Sequence, residues 1–98
     1  MKIDLSLSNK SLYAGCEVGE VAGRANLVTP VEDAVNLVGR NISGIIEAIP
    51  ATERSEVTLT GPMAVWAYLV VFHAVVHRFS KVYYDDGRSG PVLVAAHG

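Results

Sequence analysis

The chain opens on an alternation in which Ile3, Leu5 and Leu7 fall on one side and Lys2, Asp4 and Ser6 on the other. A two-residue period of this kind belongs to a half-buried strand. Ser8-Asn9-Lys10-Ser11 supplies turn chemistry, and the alternation resumes through Leu12, Ala14, Cys16 and Val18. Residues 1–18 are therefore expected to form an N-terminal β-hairpin. Gly19 to Asn26 carries no clear period and reads as a loop. At Thr29-Pro30-Val31-Glu32 the pattern becomes that of a helix start. Thr29 is the expected N-cap, Pro30 the first helical residue, and Glu32 the closing member of a capping box. Val31, Ala34, Val35, Val38, Ile42, Ile45 and Ile46 then recur at helical spacing. Gly39 and Gly44 weaken this helix and predict a break near Arg40, and Pro50 ends it.

The second half repeats a simpler scheme. Glu56 to Thr60 is a short strand rich in β-branched residues. Gly61-Pro62 is expected to turn directly into a helix, with Pro62 at its first position, running to His77 or Arg78. Lys81 to Tyr84 forms the next strand, ending at Asp85. Asp86-Gly87-Arg88-Ser89-Gly90 is a turn, and Pro91 to Ala95 is a last apolar strand that makes a C-terminal hairpin. Strand, helix and strand across residues 55–85 make one βαβ unit with parallel strands and a right-handed crossover. The expected fold is thus α/β, in a single domain over residues 1–98.

Composition and charge narrow the classes of function. Half of the 98 residues are hydrophobic and 18% are charged, which excludes a disordered chain. A net charge of −2 argues against duplex DNA or RNA, whose phosphates call for a basic face. A small nucleotide remains open, because backbone N–H groups can cradle a few phosphates. The start Met1-Lys2-Ile3-Asp4 has no apolar core of a signal peptide. The longest apolar run, Met63 to Val76, is short of the roughly 20 residues that a bilayer demands. With Cys16 as the one cysteine, a cytoplasmic protein with no membrane partner is expected. Cys16 itself is expected to pack in the core, since no base or cation flanks it to lower its pKa.

Two segments follow the carboxyl ends of the parallel strands, where open α/β sheets bind ligands. Thr60-Gly61-Pro62 offers a hydroxyl, a close backbone approach and a helix N-terminus, which is an anion site in outline. Asp85-Asp86-Gly87-Arg88 adds a carboxylate for metal or acid–base work and an arginine for phosphate. Each segment alone is more simply read as an ordinary helix entry or turn. His73 and His77 share one helix face and could hold zinc or manganese if a third ligand approached, or stand as ordinary solvated histidines. A helix from Pro62 to His77 would be about 23 Å long, so His77 should lie far from Asp85 within one copy. An antiparallel last hairpin would instead bring His97 toward the His77 end. A reaction needing both edges would then require a second copy stacked head to tail.

These residues also resemble a known family. Gly61-Pro62, Trp66, His73 and His77, Val82 to Tyr84-Asp85, Gly87-Arg88, and Val92 to His97 stand in the order and spacing of the CRISPR-associated Csx-three family, the Crn-three ring nucleases. The resemblance spans Thr58 to His97. It implies a small Rossmann-like sheet of the CARF type. It also implies a homodimer that binds cyclic tetra-adenylate between stacked dimers and degrades it with manganese, or trims short RNA 3′ adenylates. On this basis His77, Asp85 and His73 are the expected catalytic residues. Thr60, Gly61, Pro62 and Arg88 are the expected ligand-binding residues, and His77, Asp85 and His97 the expected metal ligands. A binder of the same fold that sequesters the messenger without cutting it is the alternative, and a purely structural dimerisation domain the third.

Overall fold

The computed structural model describes residues 1–96. Strands β1 (Lys2–Asp4), β4 (Glu56–Thr60), β5 (Lys81–Asp85) and β6 (Val92–Ala96) form one sheet in the order β1-β4-β5-β6. The pairings of β1 with β4 and of β4 with β5 are parallel, and that of β5 with β6 is antiparallel. Between β1 and β4 the chain makes a separate two-stranded hairpin, β2 (Val18–Val21) and β3 (Arg24–Leu27), and then helix α1 (Val31–Glu47). Helix α2 (Val65–Val76) links β4 to β5 and completes the expected βαβ unit. The result is a small α/β domain with a mixed four-stranded sheet and two helices.

Burial shows why these elements form. In β4, Val57 and Leu59 are buried while Thr58 and Thr60 are partly exposed, so one face of the sheet meets the core. On α1, Ala34, Val38, Ile42 and Ile46 make a buried stripe at four-residue spacing. It faces Ala67, Val71 and Val75 of α2, and Ile3, Val57, Leu59 and Val82 of the sheet join the same core. The two helices pack against each other because each parallel crossover steps along the sheet in the same direction. Right-handed crossovers of that kind put both helices on one face. The edge strand β6 leaves Val92, Leu93 and Val94 about half exposed.

Several expectations change. The N-terminal hairpin over residues 1–18 does not form: β1 pairs with β4 instead, with Ile3 opposite Leu59. Residues 5–15 fold as successive turns. Asn9 organises them, donating from Nδ2 to the Asp4 carbonyl at 2.7 Å and accepting the Leu12 N–H at 3.3 Å. Leu5, Leu12 and Tyr13 reach the core from these turns, whereas Ala14 and Val18, inward in the alternation, are exposed, so the two-residue period fails past Leu12. Cys16 is partly buried against that core, as expected. The expected loop over Gly19 to Asn26 is the β2–β3 hairpin, turned by Ala22 and Gly23 at φ 53° and 79°. Two consecutive left-handed residues close a tight hairpin of the right twist. An alanine in the first of these positions, and strands exposed on both sides, hid it from sequence reading.

The helix starts also differ. Pro30, with no side-chain cap, precedes α1. Thr29 does not cap it; its Oγ1 accepts the Glu17 N–H at 2.6 Å. Glu32 and Asp33 in the first turn offset the exposed N–H groups electrostatically. The helix runs unbroken past Arg40. A Cβ on Gly39 would sit 3.7 Å from Val70, so this glycine lies where α2 comes close. Helix α2 starts at Val65, three residues later than expected, because Gly61 at φ +104° turns the chain sharply before Pro62. A Cβ there would run into the Asp4 carboxylate and the N–H groups of Leu5 and Ser6, which leaves glycine as the residue that fits.

Candidate functional site

Parallel pairing brings the ends of β1, β4 and β5 into line. Asp4 is opposite Thr60, and Thr60 is opposite Asp85. Residues paired in register share a sheet face, so two carboxylates flank one hydroxyl along the carboxyl edge, with strands about 4.8 Å apart. The Thr60 hydroxyl donates to the Asp85 carbonyl at 2.9 Å, and the Asp4 carboxylate accepts the Ser6 N–H at 2.8 Å. A pocket of about 290 Å³ opens here, lined by Thr60, Gly61, Pro62, Tyr84, Asp85, Asp86 and Gly87. The structure thus unites the two segments singled out in the sequence, except for Arg88, which is exposed and outside that lining. Asp4 went unnoticed in the sequence because it was placed in a hairpin strand. Its signal, an acid ending the first strand, becomes meaningful only once β1 is known to be parallel to β4.

The edge differs from a simple phosphate cradle. The Asp85 carboxylate accepts the Gly87 N–H at 2.8 Å, and the Asp86 carboxylate accepts those of Arg88 and Ser89 at 2.8 and 3.0 Å. The N–H groups of this turn are therefore occupied by the chain's own acids. Those of Ser89 and then Arg88 hold the Asp86 carboxyl below the ordinary carboxylate range. Behind the pocket, the Tyr68 hydroxyl donates to the Gly61 carbonyl at 2.5 Å, and its ring meets Tyr84 edge-on with centroids 5.5 Å apart. Burial raises the Tyr68 phenol, with smaller contributions from Tyr84 and Asp4. Tyr68 therefore stays a neutral donor at ordinary pH and locks the Gly61 turn. Burial likewise raises the Cys16 thiol, in keeping with packing over reactivity.

The histidines stand elsewhere. His73 lies in the last turns of α2 and His77 at its C-cap, with ring centroids 5.3 Å apart and planes at 78°. Both are exposed and line a groove of about 610 Å³ between α1 and α2, together with Asn36, Arg40, Ser43 and Arg78. The twelve residues of α2 span about 18 Å, and β5 then carries the chain back from Lys81 to Asp85. His77 and Asp85 are thus at opposite ends of this unit, as the helix length predicted. Strand β6 runs back so that Ala96 is opposite Lys81, at the histidine end. His97 lies outside the described residues.

Of the expected metal ligands His77, Asp85 and His97, the first two stand at opposite ends of the unit within one copy. Among the described residues no three His, Cys, Asp or Glu side chains come together to hold an ion. His77 and Asp85 of the same chain do not fit one manganese. Among the described residues no helix is long and apolar enough to cross a membrane. No protein-family model, curated protein or solved structure matches the chain.

Proposed function

We propose that this protein is a ring nuclease, a phosphodiesterase of the CARF type that binds cyclic tetra-adenylate between stacked copies and opens it. The observation that carries this reading is the separation of two chemically different edges. Asp4, Thr60, Gly61 and Asp85 are at one end of the βαβ unit, and His73 with His77 at the other. A ligand seated on the carboxyl edge of one copy is out of reach of its own histidines. Head-to-tail stacking brings the histidines of the next copy over it, and a four-fold adenylate ring presents phosphates to both sides. The half-exposed Val92, Leu93 and Val94 of the β6 edge give a second copy an apolar strand to pair with. In this arrangement Thr60 and Gly61 contact the ligand, and Arg88 reaches its phosphates from the turn. Asp85 orients the attacking group, and His77, assisted by His73, exchanges a proton with the attacking or leaving oxygen.

A single experiment tests the shared site. His77→Ala and Asp85→Ala are each expected to lower cleavage of cyclic tetra-adenylate by about 10²–10⁴-fold. An equimolar mixture of the two inactive variants regains a substantial part of the wild-type rate, because some stacked interfaces combine an intact His77 with an intact Asp85. No recovery on mixing, with both variants folded, rejects the shared site. The assay is run with and without manganese. Binding with no linear product under either condition selects the second reading, a sequestering protein.

A further inference from the structure

A second cleft lies on the same edge, beneath the β2–β3 hairpin, and the reading above makes no use of it. It has a volume of about 630 Å³, within the range of roughly 300–1,000 Å³ common to small-molecule sites. Its walls come from three stretches distant in sequence: the turn after β1, strand β3 and its flanks, and the Pro62–Ala64 segment running into α2. Met63 and Trp66 line it as half-buried residues, an apolar and aromatic surface suited to a planar ring. Asn26 brings an amide that can both donate and accept. Ser6 and Ser8 also line it, their hydroxyls 2.6 Å apart. One of that pair donates to the other, which leaves the second hydroxyl proton for a ligand. Arg24 is the one charged residue of the lining.

We propose that this cleft is a nucleotide subsite. The base lies against Trp66 and Met63, its edge meets Asn26 and the serine hydroxyls, and the phosphate is held by Arg24. Base stacking on an aromatic residue supplies affinity with little regard to sequence, and the guanidinium selects the charged phosphate over the bare nucleoside. Pro62 lines both this cleft and the Thr60–Gly61 pocket, so the two are neighbours along the carboxyl edge. The inference rests on the proposed function only in the choice of an adenylate as the first probe.

Trp66 is the single tryptophan of the chain, so its fluorescence reports on the cleft directly. Titration of the intact protein with adenosine 5′-monophosphate, excited at the red edge of the indole band, is expected to give a saturable change. Adenosine and inorganic phosphate should each bind at least about tenfold more weakly. Arg24→Ala should weaken adenosine monophosphate about tenfold and leave adenosine unchanged, with Arg24→Lys recovering part of the loss. Asn26→Ala should weaken both nucleoside and nucleotide. An unsaturating, linear response of the wild-type protein overturns the subsite. Equal affinity for adenosine and its monophosphate, or an Arg24→Ala variant that is folded and unchanged, overturns the role of Arg24. If the mononucleotide saturates while cyclic tetra-adenylate is neither bound nor cut, the ring-nuclease reading fails and the subsite stands. The reverse result removes the subsite alone.

Discussion

At the carboxyl edge of β1, β4 and β5, the candidate side chains are woven into the backbone. Asp4 holds the Ser6 N–H, Thr60 holds the Asp85 carbonyl, Asp85 holds the Gly87 N–H, and Tyr68 ties down the Gly61 carbonyl. At the other end, His73 and His77 touch each other across an open groove and are exposed. One edge is part of the fold, and the other is carried on its surface. The difference teaches that mutations at the two ends should separate. At the carboxyl edge substitutions should cost stability as well as the proposed activity; at the histidine end they should spare stability.

The largest effect is expected from Gly61→Ala. The residue would have to adopt φ +104° and place its Cβ against Asp4, Leu5 and Ser6. Left-handed strain alone costs about 1–3 kcal/mol, and the overlap with backbone adds to it. Thermal unfolding should show a drop of at least about 10 °C. A variant melting within a few degrees of wild type would show that the edge can relax, and would weaken the contrast between the two ends.

Tyr13→Phe comes next. The hydroxyl of this buried tyrosine donates to the Leu5 carbonyl, one residue past β1, at 2.5 Å. Its removal strands a buried acceptor at a cost of about 1–3 kcal/mol. Burial, with a smaller push from Asp4, raises the phenol from 10.0 to about 12. Because the folded value is the higher one, this stabilisation is complete below pH 10 and is lost as pH rises through 12. Two pKa units correspond to roughly 2–3 kcal/mol. Denaturant unfolding between pH 9 and pH 12 should therefore fall more steeply for wild type than for the phenylalanine variant. Parallel curves would assign the alkaline loss to other groups.

The smallest stability change is expected at the histidines. His73→Ala and His77→Ala should each shift stability by no more than about 0.5 kcal/mol, as exposed substitutions do, while under the proposed function His77→Ala lowers cleavage. A melting loss comparable to that of Tyr13→Phe would show that the ring pair supports the helix end, and the contrast would collapse.

Legibility followed how local each signal was. Both helices, β4, β5 and the parallel βαβ unit could be read directly, because β-branched runs and helical periodicity act within a few residues of the chain. The candidate residues Thr60, Gly61, Pro62 and Asp85 were found for the same reason, and the structure brings them to one pocket. Asp4 and the hairpin cleft were missed. Asp4 gains its place from pairing with a strand more than fifty residues away. The cleft exists because a hairpin with Ala22 in a left-handed turn closes over the start of α2.

By itself, then, the sequence determined the buried stripe of α1 from Ala34 to Ile46, the order of most elements and the separation of the histidines from Asp85. Those follow from spacing along one chain. Tertiary structure alone decided that β1 joins the sheet in parallel, that Asp4, Thr60 and Asp85 stand in a row, and that Arg88 is left outside the pocket they border. Hydrogen bonds between strands fix such lateral neighbours, and their partners are chosen by packing across the whole core, which no local pattern encodes.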